Sequence, residues 1–191
     1  TYVADLFGYI NSPGQFSQIV TVLNNMRPDD ELVINLCSLG GSLSAISSLL
    51  HAINKTEGNV HICATGSNAS ASTLVLLSGH SFELSEDFEA LIHNGSFGIG
   101  GNFNEMRVQA NFALGHMEKI LRNHYQGFLS DFEIEEMLKG VDIVMGPEEW
   151  YNRATSRIEK MQAALAEMQK AEEKAARKPR TKKPLTLVPE N

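Results

Sequence analysis

The 191-residue sequence has no long hydrophobic run; its longest aliphatic stretch, residues 74–77, is far too short to span a bilayer. No charged-then-apolar leader precedes Tyr2. Cysteine is scarce: Cys37 and Cys63 are the only two, each inside an apolar run. They read as small hydrophobes in the core of a protein kept in a reducing compartment. A disulfide or a two-thiolate zinc site stays open at this point, although nothing at metal-ligand spacing surrounds either residue, and no metal is expected. Basic charge is also short, 16 Lys and Arg against 23 Asp and Glu. Residues 177–191 hold five basic residues and one acidic, a net of +4, which leaves 11 against 22, or −11, for residues 1–176. An acidic body of that kind is not expected to bind nucleic acid, because affinity for phosphate backbones comes largely from Lys and Arg. With 42% hydrophobic residues the chain can build one sizeable core, which excludes wholesale disorder. It reads as a soluble cytoplasmic domain, and since it starts at Thr1 without Met, residues upstream are expected to be missing.

Several motifs are missing as well. There is no Gly-x-Ser-x-Gly, which argues against an α/β-hydrolase, no Walker A sequence, and no Gly-x-Gly-x-x-Gly opening a helix after a strand. The glycine-rich residues 95–101 lack the Lys-Ser/Thr pair that would hold phosphate and metal, and read as an extended segment.

What is present is an alternation of strand and helix periods, the pattern of a layered α/β domain. Residues 2–10, 32–37 and 60–65 read as strands, and residues 16–26, 45–53 and 70–79 as helices. Short strands are expected at 82–84 and 88–92, then a long amphipathic helix over about 104–125. Ser130-Asp131-Phe132-Glu133 has the form of a capping box. Pro147 followed by Glu148 and Glu149 opens a last helix that nothing interrupts before Arg177. The tail beyond carries Pro179, Pro184 and Pro189 and is expected to be extended; a solubilising role is its simplest reading.

Three strand ends carry residues suited to chemistry. Ser38-Leu39-Gly40-Gly41 joins a strand to a helix through adjacent glycines, leaving backbone N–H groups uncovered for an oxyanion. Residues 66–73 run small side chains into a helix, where a serine hydroxyl meets the positive end of the dipole. With 16 serines in the chain, an N-cap role explains any one of them equally well. His93 closes the apolar run Leu91-Ile92 before the glycine-rich loop; the other five histidines read as surface or packing residues.

Together these pieces resemble the ClpP family of serine peptidases, within the ClpP/crotonase fold. The family runs Ser-Pro-Gly-Gly, then Gly-x-Ala-Ser with the nucleophile, then a hydrophobic segment ending in His, then an Asp shortly before a helix. The counterparts are Ser38-Leu39-Gly40-Gly41, Gly66-Ser67-Asn68-Ala69-Ser70, Leu91-Ile92-His93 and Asp142 ahead of Gly146-Pro147-Glu148, over about residues 6–153. A decoy, Ser12-Pro13-Gly14, spells the glycine loop almost letter for letter, but Gly14 lies 56 residues before Ser70 whereas Gly41 lies 29 before it, as the family's spacing requires. Leu39 in place of Pro, Asn68 in place of a small apolar residue, and Trp150-Tyr151-Asn152-Arg153 in place of the family's Gly-Leu-Val-Asp mark a divergent member of phage or organellar type.

The resemblance implies an α/β fold of repeated strand-strand-helix units with a protruding handle over about residues 95–126. It divides the chain into a peptidase domain at 1–153, an extended C-terminal helix at 154–176 and the basic tail at 177–191. It implies a serine endopeptidase in which Ser70 is the nucleophile, His93 the general base and Asp142 the group that orients the imidazole. Gly41 and Ala71 would supply the oxyanion-hole N–H groups, glycine at 41 sparing the scissile carbonyl from a side chain. Ser67 and Ser72 rival Ser70 as nucleophile, and the Gly-x-x-Ala-Ser register favours Ser70. Gly40, Ser42 and Leu43, with Phe97 and Gly98, would pair with the substrate backbone by strand addition. Two stacked heptameric rings enclosing the sites, unfolded polypeptides as substrate, an AAA+ unfoldase as partner and sole user of ATP, and no cofactor complete the implied picture. An inactive ring scaffold of the same fold is the alternative; a crotonase-like acyl-CoA enzyme is a third reading, which the Ser-His-Asp set disfavours.

Overall fold

The computed structural model describes residues 1–176; the basic tail lies outside the described residues. Four parallel strands, β1 (Tyr2–Phe7), β2 (Glu31–Cys37), β3 (Asn59–Ala64) and β5 (Ser81–Leu84), form one sheet in the order β1-β2-β3-β5. A second sheet holds β4 (Ser67–Ala69), β6 (Glu89–Ile92) and β7 (Ile143–Met145), with β4 parallel to β6 and β6 antiparallel to β7. The helices are α1 (Ser17–Leu23), α2 (Leu43–Lys55), α3 (Ala71–Ser78), α4 (Phe103–Tyr125), α5 (Asp131–Leu138) and α6 (Pro147–Ala176). A 3-10 turn at Pro13–Phe16 carries the decoy motif, between β1 and α1 and not between a strand and the helix that Ser70 opens.

Among the described residues the four-stranded sheet is covered on one face only. Leu32, Ile34 and Leu36 of β2 and Val60, Ile62 and Ala64 of β3 are fully buried, and α2 lays Ala45, Ile46, Leu49 and Ile53 against the same core. That spacing is the apolar stripe of a helix on a sheet. Ser42 caps α2, its hydroxyl accepting from the Ala45 N–H at 3.3 Å. Side chains alternate along a strand, so Cys37 and Cys63 point to the opposite, open face and are only half buried. The expectation that they belong to the core is therefore corrected: the apolar runs around them hold the core residues, one position out of step.

Trp150, at the start of α6, is the largest fully buried side chain, seated between Phe88 and Phe128 with ring centroids 5.6 and 4.7 Å away. This packing accounts for the departure at 150–153: the tryptophan locks α6 onto the second sheet, and Arg153 one turn on pairs with Glu133 at 2.7 Å. Ser130 and Glu133 form the expected capping box at the start of α5. Residues 95–101 contain no strand, so the handle expected over 95–126 consists of an irregular segment followed by α4, which Asn102 and Glu105 cap. Strands need a ladder partner to satisfy their backbone groups, and this segment has none among the described residues. Of the 23 residues in α4 only Leu121 and Tyr125 are buried, while Phe103 and Phe112 are 89% and 75% exposed. No described helix is long and apolar enough to cross a membrane.

Candidate active site

The second sheet brings the three sequence-selected residues to one edge. Two parallel strands end on the same side, and an antiparallel third begins there. Ser70 follows β4, His93 follows β6, and Asp142 precedes β7. Ala69 stands opposite Leu91 and Ile92 opposite Ile143, so one more step of the second register sets His93 across from Asp142.

Ser70 is the sole non-glycine residue with positive φ among those described, at φ 56° and ψ −124°. A side chain there costs about 1–3 kcal/mol of backbone strain and needs neighbours to hold it. They are present. The Ser70 N–H donates to the Leu91 carbonyl at 2.9 Å, and the Ser70 carbonyl accepts from the Thr73 N–H at 3.0 Å and Thr73 Oγ1 at 2.6 Å. Tyr125 holds Thr73 in turn, hydroxyl to hydroxyl at 2.6 Å. Burial pushes the Tyr125 phenol well above its ordinary pKa, against the smaller pull of Thr73, so it stays neutral and able to donate.

The rival serines are otherwise engaged. Ser72 is fully buried, its hydroxyl donating to the Ser38 carbonyl at 2.7 Å and the Ala69 carbonyl at 3.0 Å. Ser67 faces a separate small cleft with Gly8, Tyr9 and Leu39.

Gly40 and Gly41 each meet a backbone contact that the sequence does not show. A β-carbon on Gly40 would run into the Ala69 carbonyl and come within 2.8 Å of Ser70 Cβ and 2.9 Å of the Ala71 nitrogen. Gly40, at φ 84°, is thus the position where the loop presses against the serine turn. At Gly41 a β-carbon would strike the Ile10 carbonyl, so the close approach of the segment after β1 by itself demands glycine there. Ile10 donates to the Gly40 carbonyl at 2.9 Å and accepts from the Ser42 N–H at 2.8 Å. A parallel bridge of this form turns Gly41's own N–H to the other side, toward the cleft that Gly41 lines. The Ala71 N–H, first in α3, has no intrahelical acceptor. Two uncovered donors therefore flank Ser70.

The expected substrate edge over Gly40, Ser42 and Leu43 is narrower than its sequence suggests. Gly40 is buried with its N–H on Ser38 Oγ at 3.1 Å, Ser42 is committed to Ile10, and Leu43 already belongs to α2. Gly41 alone keeps its backbone groups free of Ile10. Phe97 and Gly98 are exposed and outside any strand, and Phe97 alone of the two reaches the cleft.

That cleft has a volume of about 670 Å³ and is lined by Ser70, His93 and Gly41, with an apolar wall that includes Leu74, Met117, Ile120 and Leu121. His93 is half buried. Asp142 is exposed and lies outside the lining. Among the described residues no side-chain hydrogen bond joins Ser70 to His93 or His93 to Asp142. Asn94 anchors the chain just after the histidine, its amide donating to the Leu138 carbonyl at 2.8 Å.

Sequence reasoning missed the scaffold behind the serine. Asn68, noted only as a departure, is buried; its Oδ1 accepts from the Ser38 N–H at 3.3 Å and its amide donates to the Thr65 carbonyl at 3.1 Å. Ser38 is the hub on the other side, its hydroxyl donating to the Gly8 carbonyl at 2.5 Å and its carbonyl accepting from the Ala69 N–H at 3.0 Å. An amide side chain in a junction otherwise made of Gly, Ala, Ser and Thr was the available signal. A second cluster went unseen as well: His61, Cys63 and Glu83 gather on the open face of the first sheet, although ligand spacing is absent from the sequence around Cys63.

The family model for Clp protease matches residues 11–149, well over half of the chain. No curated protein matches the sequence.

Proposed function

Because the chain belongs to the Clp protease family, we propose that it is the serine endopeptidase subunit of a ring protease that cuts unfolded polypeptides. The observation that carries this reading is Ser70, held at positive φ at the mouth of a cleft it shares with His93 and the Gly41 loop. In the proposed reaction the Ser70 hydroxyl attacks a peptide carbonyl as His93 takes its proton. The carbonyl oxygen, now an anion, accepts from the Gly41 and Ala71 N–H groups while the dipole of α3 favours the same charge. The intermediate collapses as His93 hands the proton to the departing amine, and water then repeats the sequence to release the acyl group. Asp142, opposite His93 in register, orients and stabilises the imidazolium once the side chains close up. The apolar wall favours a hydrophobic side chain beside the scissile bond. Removing one oxyanion donor typically costs about 100- to 1000-fold in rate.

Two stacked heptamers are proposed as the assembly, supported by the exposed Phe103 and Leu114 on one side of α4 and Val108 and Phe112 on the other, apolar surface that the described residues leave uncovered. An AAA+ unfoldase is the proposed feeding partner, and the cytoplasm the proposed compartment. No cofactor enters the reaction.

The absence of hydrogen bonds within the Ser70, His93 and Asp142 set supports a second reading, an inactive ring subunit of the same fold. A fluorogenic peptide assay on the size-selected oligomer separates the two. The first reading expects hydrolysis that Ser70→Ala removes; the second expects none from either protein.

A further inference from the structure

The open face of the four-stranded sheet carries a row of polar residues across all four strands. Asp5, Asn35, Cys63 and Glu83 stand side by side in register, and His61 lies two residues before Cys63 on the same face. Donor atoms of His61, Cys63 and Glu83 all lie within 4.8 Å of one another. Imidazole, thiolate and carboxylate are the ordinary ligands of zinc, which binds them at about 2.0–2.3 Å and so draws tetrahedral donors to about 3.3–3.8 Å apart. The shortfall is within the reach of Glu83, whose side chain is exposed and free to turn.

The surroundings suit a cation. His61 Nδ1 lies 2.8 Å from Ser81 Oγ, a contact of the kind that fixes the ring of a metal-bound histidine. Asn35, next to Cys63, donates its amide to Asp5 Oδ1 at 2.7 Å, and the row of paired residues Asp5, Asn35, Cys63 and Glu83 holds no Lys or Arg. Burial and the neighbouring Glu83 charge both push the Cys63 thiol above its usual pKa; a divalent ion at this spot would reverse that by neutralising the carboxylate and binding the sulfur as thiolate. None of the three residues touches the cleft at Ser70.

We propose that His61, Cys63 and Glu83 form a zinc site on the open sheet face, with water as the fourth ligand. Binding forms bonds from one imidazole nitrogen, the sulfur and one carboxylate oxygen to Zn²⁺; the thiol proton leaves to solvent and no oxidation state changes. The ion would tie the short edge strand β5 to β3.

The test is a titration of the full-length, chelator-treated and reduced protein with Co²⁺, read in absorbance. A thiolate-to-cobalt charge-transfer band saturating at one ion per chain, displaced by Zn²⁺, is expected. Cys63→Ser should abolish the band, Cys37→Ser should leave it intact, and His61→Ala or Glu83→Gln should each weaken binding by at least about tenfold. Both His61 and Glu83 are accessible enough that these two variants keep the fold, which circular dichroism verifies. The absence of the band, its survival in Cys63→Ser, or full affinity in both His61→Ala and Glu83→Gln would overturn the proposal. The readout does not depend on peptidase activity.

Discussion

Around Ser70, each backbone group that fixes the turn has a partner: Leu91, Thr73 and, through Thr73, Tyr125, with Asn68 and Ser38 bracing the strand behind. Around His93 the same sheet edge is held by far less. Asn94 makes one bond to the end of α5, and the chain then runs into the irregular residues 95–101 and the exposed α4. The serine half of the cleft is completed by the chain itself, whereas the histidine half leads into surface that the single chain leaves uncovered. Ser70, a side-chain-bearing residue at positive φ, needs rigid support. His93 carries no such backbone strain, so leaving that side loose costs little in the isolated subunit.

The severest way to break the contrast is at Gly40. Gly40→Val puts a branched side chain at φ 84° into Ala69, Ser70 and Ala71, and is expected to lower stability by about 2–4 kcal/mol, combining backbone strain and overpacking. Denaturant unfolding measures it; an unchanged midpoint would show that the serine side is less tightly determined than its hydrogen bonds imply.

Asp142 has its own anchor. It lies between α5 and α6, which are clamped together by Glu133 and Arg153, a paired contact with 3.0 and 2.7 Å bonds. Arg153 and the Ser130 cap hold the Glu133 carboxyl down to about 2, from an ordinary 4.5. Since the folded-state pKa is depressed, the stabilisation is fully present above about pH 4.5 and disappears as pH falls toward 2. Both side chains are about a quarter exposed, so solvent screening discounts the contribution to about 1–2 kcal/mol. Glu133→Gln should remove that share of the acid-dependent loss when unfolding is compared at pH 6 and pH 3, and parallel curves for the two proteins would contradict it.

The smallest effect on the chain's own stability is expected on the arm. Phe103→Ser, at an 89% exposed position, should change unfolding by no more than about 0.5 kcal/mol. It should nevertheless shift the size distribution toward smaller species if α4 builds the ring contact, and sedimentation of the purified variant checks this.

Much of the site was legible because strand ends can be read from period and turn chemistry. Residues 38–41, 70 and 93 were each picked out at the boundary between an apolar run and a small or glycine-rich one. The registers that carry Asp142 to His93 were not legible, since pairing of β6 with a three-residue strand 51 positions later leaves no local trace. The cysteines were misjudged for a related reason: alternation identifies two faces of a strand but does not say which one a helix will cover. The demand for glycine at 41 made by Ile10 was not legible, because that approach is a long-range contact. The gathering of His61 and Cys63 with Glu83 depends on β3 pairing with β5, across the whole of α3.

The account rests on Ser70 being a reactive nucleophile mounted on a prebuilt turn. Treating the size-selected oligomer with a fluorophosphonate and locating the adduct by peptide mass spectrometry tests this directly. The adduct is expected on the peptide carrying Ser70, at that residue and not at Ser67 or Ser72, and to vanish in Ser70→Ala; an unlabelled oligomer, or an adduct on another serine, would contradict it.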